Sequence, residues 1–454
     1  MQMLTAESIK YTEDFIFKRL GLQHDYEKFS FNGMNVDFRY CSDSDIRYKE
    51  NRINILKNEF ANESCFLEKT DLIIDWLKAD QIFPGYKIDT PLKRIPIIFW
   101  GDASDRKSFA SIVGKSLQIN IDLIASIFYM ISRYEEYNSR LIDDYSRFSY
   151  HEMLAVKNDF IDLPVVDIYI ELFRRIIEIF FEIEVKNNNT YEVIISSDID
   201  EVFLYHPFSK GIKTIIKDAL YYRFSNLFSD SRKIFQSYLY DDFYSGIEIL
   251  CNLSKLYSIK TNFNFMASNR SKMDDGYSIK SIQMGKIFER LEQDNFEIGF
   301  HPSYYTLNNP ELYKMEKNLL QSSVNQRIIS GRQHFLRVNT PASWIMWEEN
   351  GMKLDSSYGF SEILGFRCGT SFPYQVFDIR TNKKLDLIEQ PLIIMDGALR
   401  RNSDLSNARE VLLSYKKITQ FVKGQLTILW HNRSFSRHWK DWGLFFIDVL
   451  RDII

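Results

Sequence analysis

Between residue 190 and the C-terminus, short apolar runs recur with helical segments between them: VIISSD (193–198), KTNFNFM (260–266), FEIGFH (296–301), HFLRV (334–338), LIIMDG (392–397) and LTILWH (426–431). Near-continuous apolar runs alternating with helices suit parallel strands covered on both faces. The pattern predicts a parallel α/β architecture, barrel-like or doubly wound. A long, mostly helical insertion at about 205–258 separates the first two runs.

The first 185 residues have a different rhythm. Strand-like runs such as RIPIIFW (94–100) are mixed with helical patterns. In IDLIASIFYMISRYEEYNSR (121–140) the apolar residues Ile121, Leu123, Ile124, Ile127, Phe128 and Ile131 recur at helical spacing before the segment turns polar. A second helix, VVDIYIELFRRIIEIFFEIEV (165–185), runs into the polar KNNNTYE. A chain of 454 residues exceeds what one ordinary core holds. The expected division is therefore an N-terminal mixed α/β accessory domain, 1–186, and a second domain, 187–454, that carries the insertion.

Composition removes several functional classes. The 57 basic and 61 acidic residues are interspersed, with a net charge of −4 and no basic stripe, so nucleic acid is not an expected partner. Cys41, Cys65, Cys251 and Cys368 lie far apart with no CxxC pair and read as reduced core thiols. No window reaches the 18 or so apolar residues of a membrane span, and the N-terminal stretch carries charges throughout rather than an apolar signal core. A cytoplasmic location is the expectation. The segment GIKTIIKDALYYRFSNLF (211–228) interleaves basic and bulky apolar residues. It reads first as a helix packed over the domain, with peripheral membrane contact as the alternative.

Chemistry concentrates where the apolar runs end. In parallel α/β folds the carboxyl ends of the strands converge on one rim, so residues distant in sequence can meet there. Asp198 and Asp200 close the first run two residues apart, which puts both side chains on one face of an extended strand. Alone, the pair reads as a helix cap and a solvated neighbour. His301 ends FEIGFH, His431 ends LTILWH, and His334 opens HFLRV, although the chain has only seven histidines. Each could be a hydrogen-bonded structural residue. Together, neutral imidazole and carboxylate form the ligand set of a divalent ion such as zinc.

In this order, SSDIDEV, IGFHPSY, SGRQHFLR, DSSYGFSEILGFRCGTSFPY and LTILWHN resemble the polysaccharide deacetylase superfamily of metal-dependent carbohydrate esterases. IASIFYMISRYEEY extends the likeness to a bacterial subgroup with an extra N-terminal α/β domain. The resemblance implies a distorted (β/α) barrel and removal of N-acetyl groups from an amino-sugar polysaccharide or its precursor. It also implies a divalent metal, zinc before cobalt or nickel. By position, Asp198 would be the general base, Asp200, His301 and His334 the metal ligands, and His431 the general acid. Arg337 would orient Asp198, with Arg367 as rival. The second metal-binding histidine of the family, four residues after the first, is Tyr305 here, which is why His334 enters as third ligand. The metal would stabilise the oxyanion together with a backbone N–H near Tyr304. Tyr304, Tyr305 and Trp430, with Tyr358, Phe372 and Tyr374, are the candidate sugar-stacking residues, although core packing is the plainer reading for most of the six. A catalytically silent carbohydrate-binding scaffold and a sugar deformylase are the alternative functions.

Overall fold

The computed structural model describes residues 3–22, 24–25, 28–31, 34–42, 50–58, 74–101, 106–139, 141–206, 208–220, 235, 238–267 and 271–454. The N-terminal half holds a five-stranded sheet of β1 (Lys28–Phe31), β2 (Met34–Cys41), β3 (Arg52–Leu56), β6 (Ala110–Val113) and β7 (Ser116–Ile119), in the order β1-β2-β3-β7-β6. A separate antiparallel pair joins β4 (Asp75–Lys78) to β5 (Arg94–Ile97). The RIPIIFW run becomes β5.

The three longest helices among the described residues of this half cover it. The first, Ala6–Leu20, begins with a capping box between Thr5 and Ser8 and stops at Gly21, whose φ of 68° suits a residue without a Cβ. Leu123–Ile131 is capped by the Asp122 carboxylate, which accepts from the Ala125 N–H, and all of its residues are buried. A helix that is apolar all round belongs at the centre of a core. Val165–Phe181 is amphipathic. Its polar face is laced by Arg174 to Glu171 and Glu178, and by Arg175 to Glu171.

The second sheet has nine strands in the order β13-β14-β12-β11-β10-β9-β8-β16-β15. These are β8 (Glu192–Ile199), β9 (Lys260–Phe265), β10 (Glu297–Phe300), β11 (Ser330–Gly331), β12 (Leu354–Asp355), β13 (Tyr374–Asp378), β14 (Lys383–Glu389), β15 (Ile394–Met395) and β16 (Gln425–Leu429). Every pairing is parallel except that of β13 with β14. The protein is thus mixed α/β, as expected. The expected barrel, however, is not closed by hydrogen bonds among the described residues. The antiparallel β13 occupies the outer edge of β14, β15 ends the other side after two residues, and no ladder joins them.

HFLRV is not a strand. Phe335 and Leu336 have φ of 60° and 53°, which breaks an extended chain, and the strand lies upstream at Ser330–Gly331. The insertion contains the helices Phe208–Leu220 and Asp242–Tyr257. It is pinned at its base by Asp241, whose carboxylate accepts from the N–H groups of Leu204 and Tyr205. Of the segment 211–228, residues 211–220 fall in the first helix, with Ile212, Ile216 and Leu220 exposed, and the rest lies outside the described residues. Cys41, Cys251 and Cys368 are buried, and Cys65 lies outside the described residues. No described helix is long and apolar enough to cross a membrane.

One continuous apolar cluster runs through both sheets, and polar contacts tie them together. Asp167 accepts from Thr370 Oγ1, Ser371 N and Ser371 Oγ, each at 2.7 Å. Glu136 is clamped between Arg133 (2.8 Å) and Arg367 (2.9 Å), all three side chains buried, and Arg133 also donates to the Arg367 carbonyl. Burial would raise the Glu136 pKa, but the two guanidiniums hold it at about 2, below the usual 4.5. A depressed folded-state value means that this stabilisation is complete above pH 4.5 and is lost as pH falls towards 2. Glu136→Gln should therefore cost about 3 kcal/mol at neutral pH. Its melting temperature should converge on that of the wild type as the pH of the thermal scans drops below the ordinary carboxylate range. A gap that is constant with pH would contradict this account.

Candidate metal and catalytic site

Adjacent strands bring the polar ends together. Asp198 lies near the end of β8 and Asp200 just beyond it; His301 follows β10; Arg332 and His334 follow β11; Asp396 follows β15; and His431 lies two residues past β16. A cavity of about 310 Å³ is lined by Asp198, Asp200, His301, His334, His431 and Arg433 among others. A roomier cleft of about 990 Å³ lies at the opposite end of the strands, near Glu192 and Gln425. Among the described residues, the only group of three side chains able to share a metal ion is Asp200, His301 and His334.

These three donors converge closely. His301 Nε2 and His334 Nε2 each lie 3.4 Å from Asp200 Oδ1. Both Asp200 Oδ1 and His301 Nε2 are shut from solvent and have no hydrogen-bond partner among the described residues. Buried polar atoms left this way are uncommon unless a ligand satisfies them. The other ring nitrogens are anchored. His301 Nδ1 donates to the Arg332 carbonyl at 2.6 Å, and His334 Nδ1 faces Asp274 Oδ1 at 2.7 Å. A carbonyl can only accept, so the His301 proton belongs on Nδ1 and its Nε2 lone pair faces the cluster. Two imidazole nitrogens and a carboxylate oxygen fit a divalent ion of zinc type. Tyr305, half exposed, is outside the cavity lining, and His334 is the third side chain of the group that could hold an ion.

Asp200 is also 3.2 Å from Arg433 Nη2. Burial opposes its ionisation, but Arg433 and then the three imidazoles outweigh that and hold its carboxyl well below the usual range. Asp198 is held differently. Asn264 Nδ2 (2.7 Å) and Arg332 Nη1 (3.0 Å) both donate to its Oδ1, and Arg332 is itself fastened to Ser196 Oγ and the Ser356 carbonyl. Burial would push Asp198 up, whereas Arg332, followed by His301 and His431, holds it below the usual carboxylate range. Asn264 pairs directly with Asp198 across β8 and β9, and its amide crosses above Gly299, where a Cβ would meet Asn264 Oδ1 at 2.1 Å. Glycine at 299 is therefore what admits that amide.

Neither arginine expected beside Asp198 is there. Arg337 donates Nε to the Tyr145 carbonyl and stacks 3.7 Å over the Tyr304 ring. Arg367 is committed to Glu136. The positive-φ turn after His334 carries Arg337 away from the rim, and Arg332, the first residue past the real strand, takes the place beside Asp198.

His431 lies across the cavity, its Nε2 3.8 Å from Asp200 Oδ2. Asp396 accepts from its Nδ1 at 2.9 Å and from its backbone N–H at 2.9 Å, and also from Ser434 Oγ. Burial would lower the His431 pKa, but Asp396, with Asp200 behind it, raises it above the ordinary value.

The aromatic candidates mostly belong to the core. Trp430 is fully buried and stacked 4.1 Å over Phe446, because the residue between the strand and His431 points into the opposite layer. Tyr358, Phe372 and Tyr374 are buried as well. Tyr304 and Tyr305 lie outside the cavity lining, and the Tyr304 N–H is used by Asp274 Oδ1 rather than left for an oxyanion. Sequence reasoning assigned no role to Asn264, Asp274, Arg332, Asp396 or Arg433. Asp396 did carry the right signal, an acid ending the apolar run LIIMDG. Asp274, in a loop, carried none.

Residues 2–182 match a family model described as "Family of unknown function (DUF7033)". No curated protein matches the chain. Among solved structures, one described as "putative polysaccharide deacetylase from Mycobacterium smegmatis" is similar at 11% identity and a TM-score of 0.37, over 58% of this chain and 84% of that one.

The cluster makes a direct prediction for calorimetric titration of the metal-free protein with zinc. One ion should bind per chain. Asp274→Asn should weaken it about 10- to 100-fold through the freed imidazole, and His334→Ala should weaken it further. Equal affinities in all three proteins would contradict the assigned ligand set.

Proposed function

We propose that the protein is a metal-dependent amide hydrolase of the polysaccharide deacetylase kind, removing N-acetyl groups from an amino-sugar polysaccharide or its precursor. The division expected from sequence, with 187–454 as the catalytic domain and 1–186 as an accessory domain, is part of this reading. One observation carries it: two buried carboxylates on one strand end are kept in separate roles. Asp198 is paired with Arg332 and Asn264, while Asp200 shares its other surroundings with His301 and His334.

Asp200, His301 and His334 would hold the ion, zinc by donor type, with cobalt or nickel as substitutes. When bound there, it supplies Lewis acidity to the acyl carbonyl. The chain's own groups do the rest. Both donors to Asp198 sit on Oδ1, which leaves Oδ2 to take the proton of the attacking water. Arg332 keeps that acid ionised and aimed. Asp396 holds His431 by Nδ1, so its Nε2 proton is presented to the departing sugar nitrogen. With Asp198 depressed and His431 raised, the rate should fall as acid protonates the first and as alkali deprotonates the second.

A second reading, a catalytically silent sugar-binding scaffold, is favoured by Arg433, whose guanidinium already offsets the Asp200 charge at 3.2 Å. Acetate release separates the two. With zinc and an N-acetylglucosamine oligomer, the wild type should release acetate rather than formate. Asp198→Asn and His431→Ala should each lower kcat about 10²- to 10⁴-fold while still binding zinc. No acetate from a zinc-loaded protein would favour the scaffold.

A further inference from the structure

Two residues of the N-terminal half, Tyr145 and Arg147, line the same cavity as Asp198, Asp200 and the three imidazoles. They sit on a tight turn organised by Asp143, whose Oδ1 accepts from the N–H groups of both residues at 2.9 Å. Arg147 is buried and fully engaged. It donates Nη1 to the Phe335 carbonyl (3.1 Å) and to Ser361 Oγ (2.5 Å), donates Nε to Asp143 Oδ2 (2.8 Å), and pairs with Glu362. From the other side, Arg337 donates to the Tyr145 carbonyl at 2.7 Å.

What this turn grips is strained. Phe335 and Leu336 directly follow His334, and both have left-handed φ, 60° and 53°. For residues other than glycine that conformation costs about 1–2 kcal/mol each and persists only where the surroundings enforce it. The hydrogen bond from Arg147 to the Phe335 carbonyl is such an enforcement. The same turn sets the Tyr145 ring 5.2 Å from the Phe335 ring, and Arg147 joins this aromatic wall to the opposite one at Ser361 and Glu362. A cavity of about 310 Å³ bounded in this way is at the small end of ligand sites, of a size to hold about one sugar.

We propose that residues 143–147 are a built wall of the catalytic cavity. Tyr145, with Phe335, is the face on which one sugar packs; Arg147 is a positioning residue for the turn that carries His334; and the small cavity volume fits a single sugar or the terminal sugar of a chain. The proposal takes the ligand to be an N-acyl sugar from the hydrolase reading above, but its binding test does not depend on turnover.

The test uses the zinc-loaded full chain and two probes, N-acetylglucosamine and its pentamer, with binding measured by calorimetry. The wild type should bind both with affinities within about threefold, because only one residue is held. Tyr145→Ala, which keeps the backbone carbonyl, should weaken both about fivefold to tenfold and leave zinc affinity unchanged, the loss of one aromatic face. Arg147→Ala should weaken zinc as well as sugar, and circular dichroism should show it folded. Where acetate is released, mass spectrometry of the pentamer should locate the loss at a terminal residue. A pentamer bound more than about tenfold tighter than the monomer, Tyr145→Ala indistinguishable from wild type, or no binding of either probe would overturn the proposal. Sugar binding of the expected pattern without acetate release would instead overturn the hydrolase reading and leave the wall standing.

Discussion

Burial of two ionised carboxylates at the end of one strand is the constraint around which the rim is organised. Asp198 and Asp200 are 3% and 5% exposed. Left unpaired, each would cost several kcal/mol to remove from water. Every neighbouring strand end answers that cost with a donor or a cation: Asn264 from β9, His301 after β10, Arg332 and His334 after β11, His431 and Arg433 after β16. The answer is also selective. Arg332 and Asn264 saturate one oxygen of Asp198, while the imidazoles crowd Asp200 without hydrogen-bonding its Oδ1. Two identical side chains are thereby set in unlike surroundings, one oxygen of Asp198 hydrogen-bonded twice and Asp200 Oδ1 left without a hydrogen bond.

The same principle, charge buried only with its partner, joins the two halves. Glu136 lies between Arg133 and Arg367, Asp167 accepts three hydrogen bonds from Thr370 and Ser371, and Arg147 spans from Asp143 to Glu362. In each case a residue of the first 185 supplies half of an interaction buried against the second sheet. Directional contacts of this kind register the halves more sharply than apolar packing, which tolerates sliding. The site inherits that register through the turn at 143–147.

Much of this was legible in the sequence, for identifiable reasons. Near-continuous apolar runs announced parallel strands, and five of the six quoted runs contain one. Asp198, Asp200, His301, His334 and His431 stood out as polar residues at run boundaries, and they do line one cavity. HFLRV misled because Phe335, Leu336 and Val338 make it read as a short apolar run, while two successive residues turn left-handed. That misreading shifted attention from Arg332 to Arg337. Trp430 misled because an aromatic beside a site residue can face either layer, and here it faces Phe446.

The parallel α/β layering and the set of strand-end acids and imidazoles are written in the chain, because burial on both faces and its polar interruptions are local patterns. Folding in three dimensions sets which cation faces Asp198, that Asp274 and Asp396 hold the outer nitrogens of His334 and His431, and that Tyr145 and Arg147 line the cavity. Those pairings join residues 35 to more than 200 positions apart. Spacing along the chain carries no trace of them, since they arise only when strand order brings the ends together.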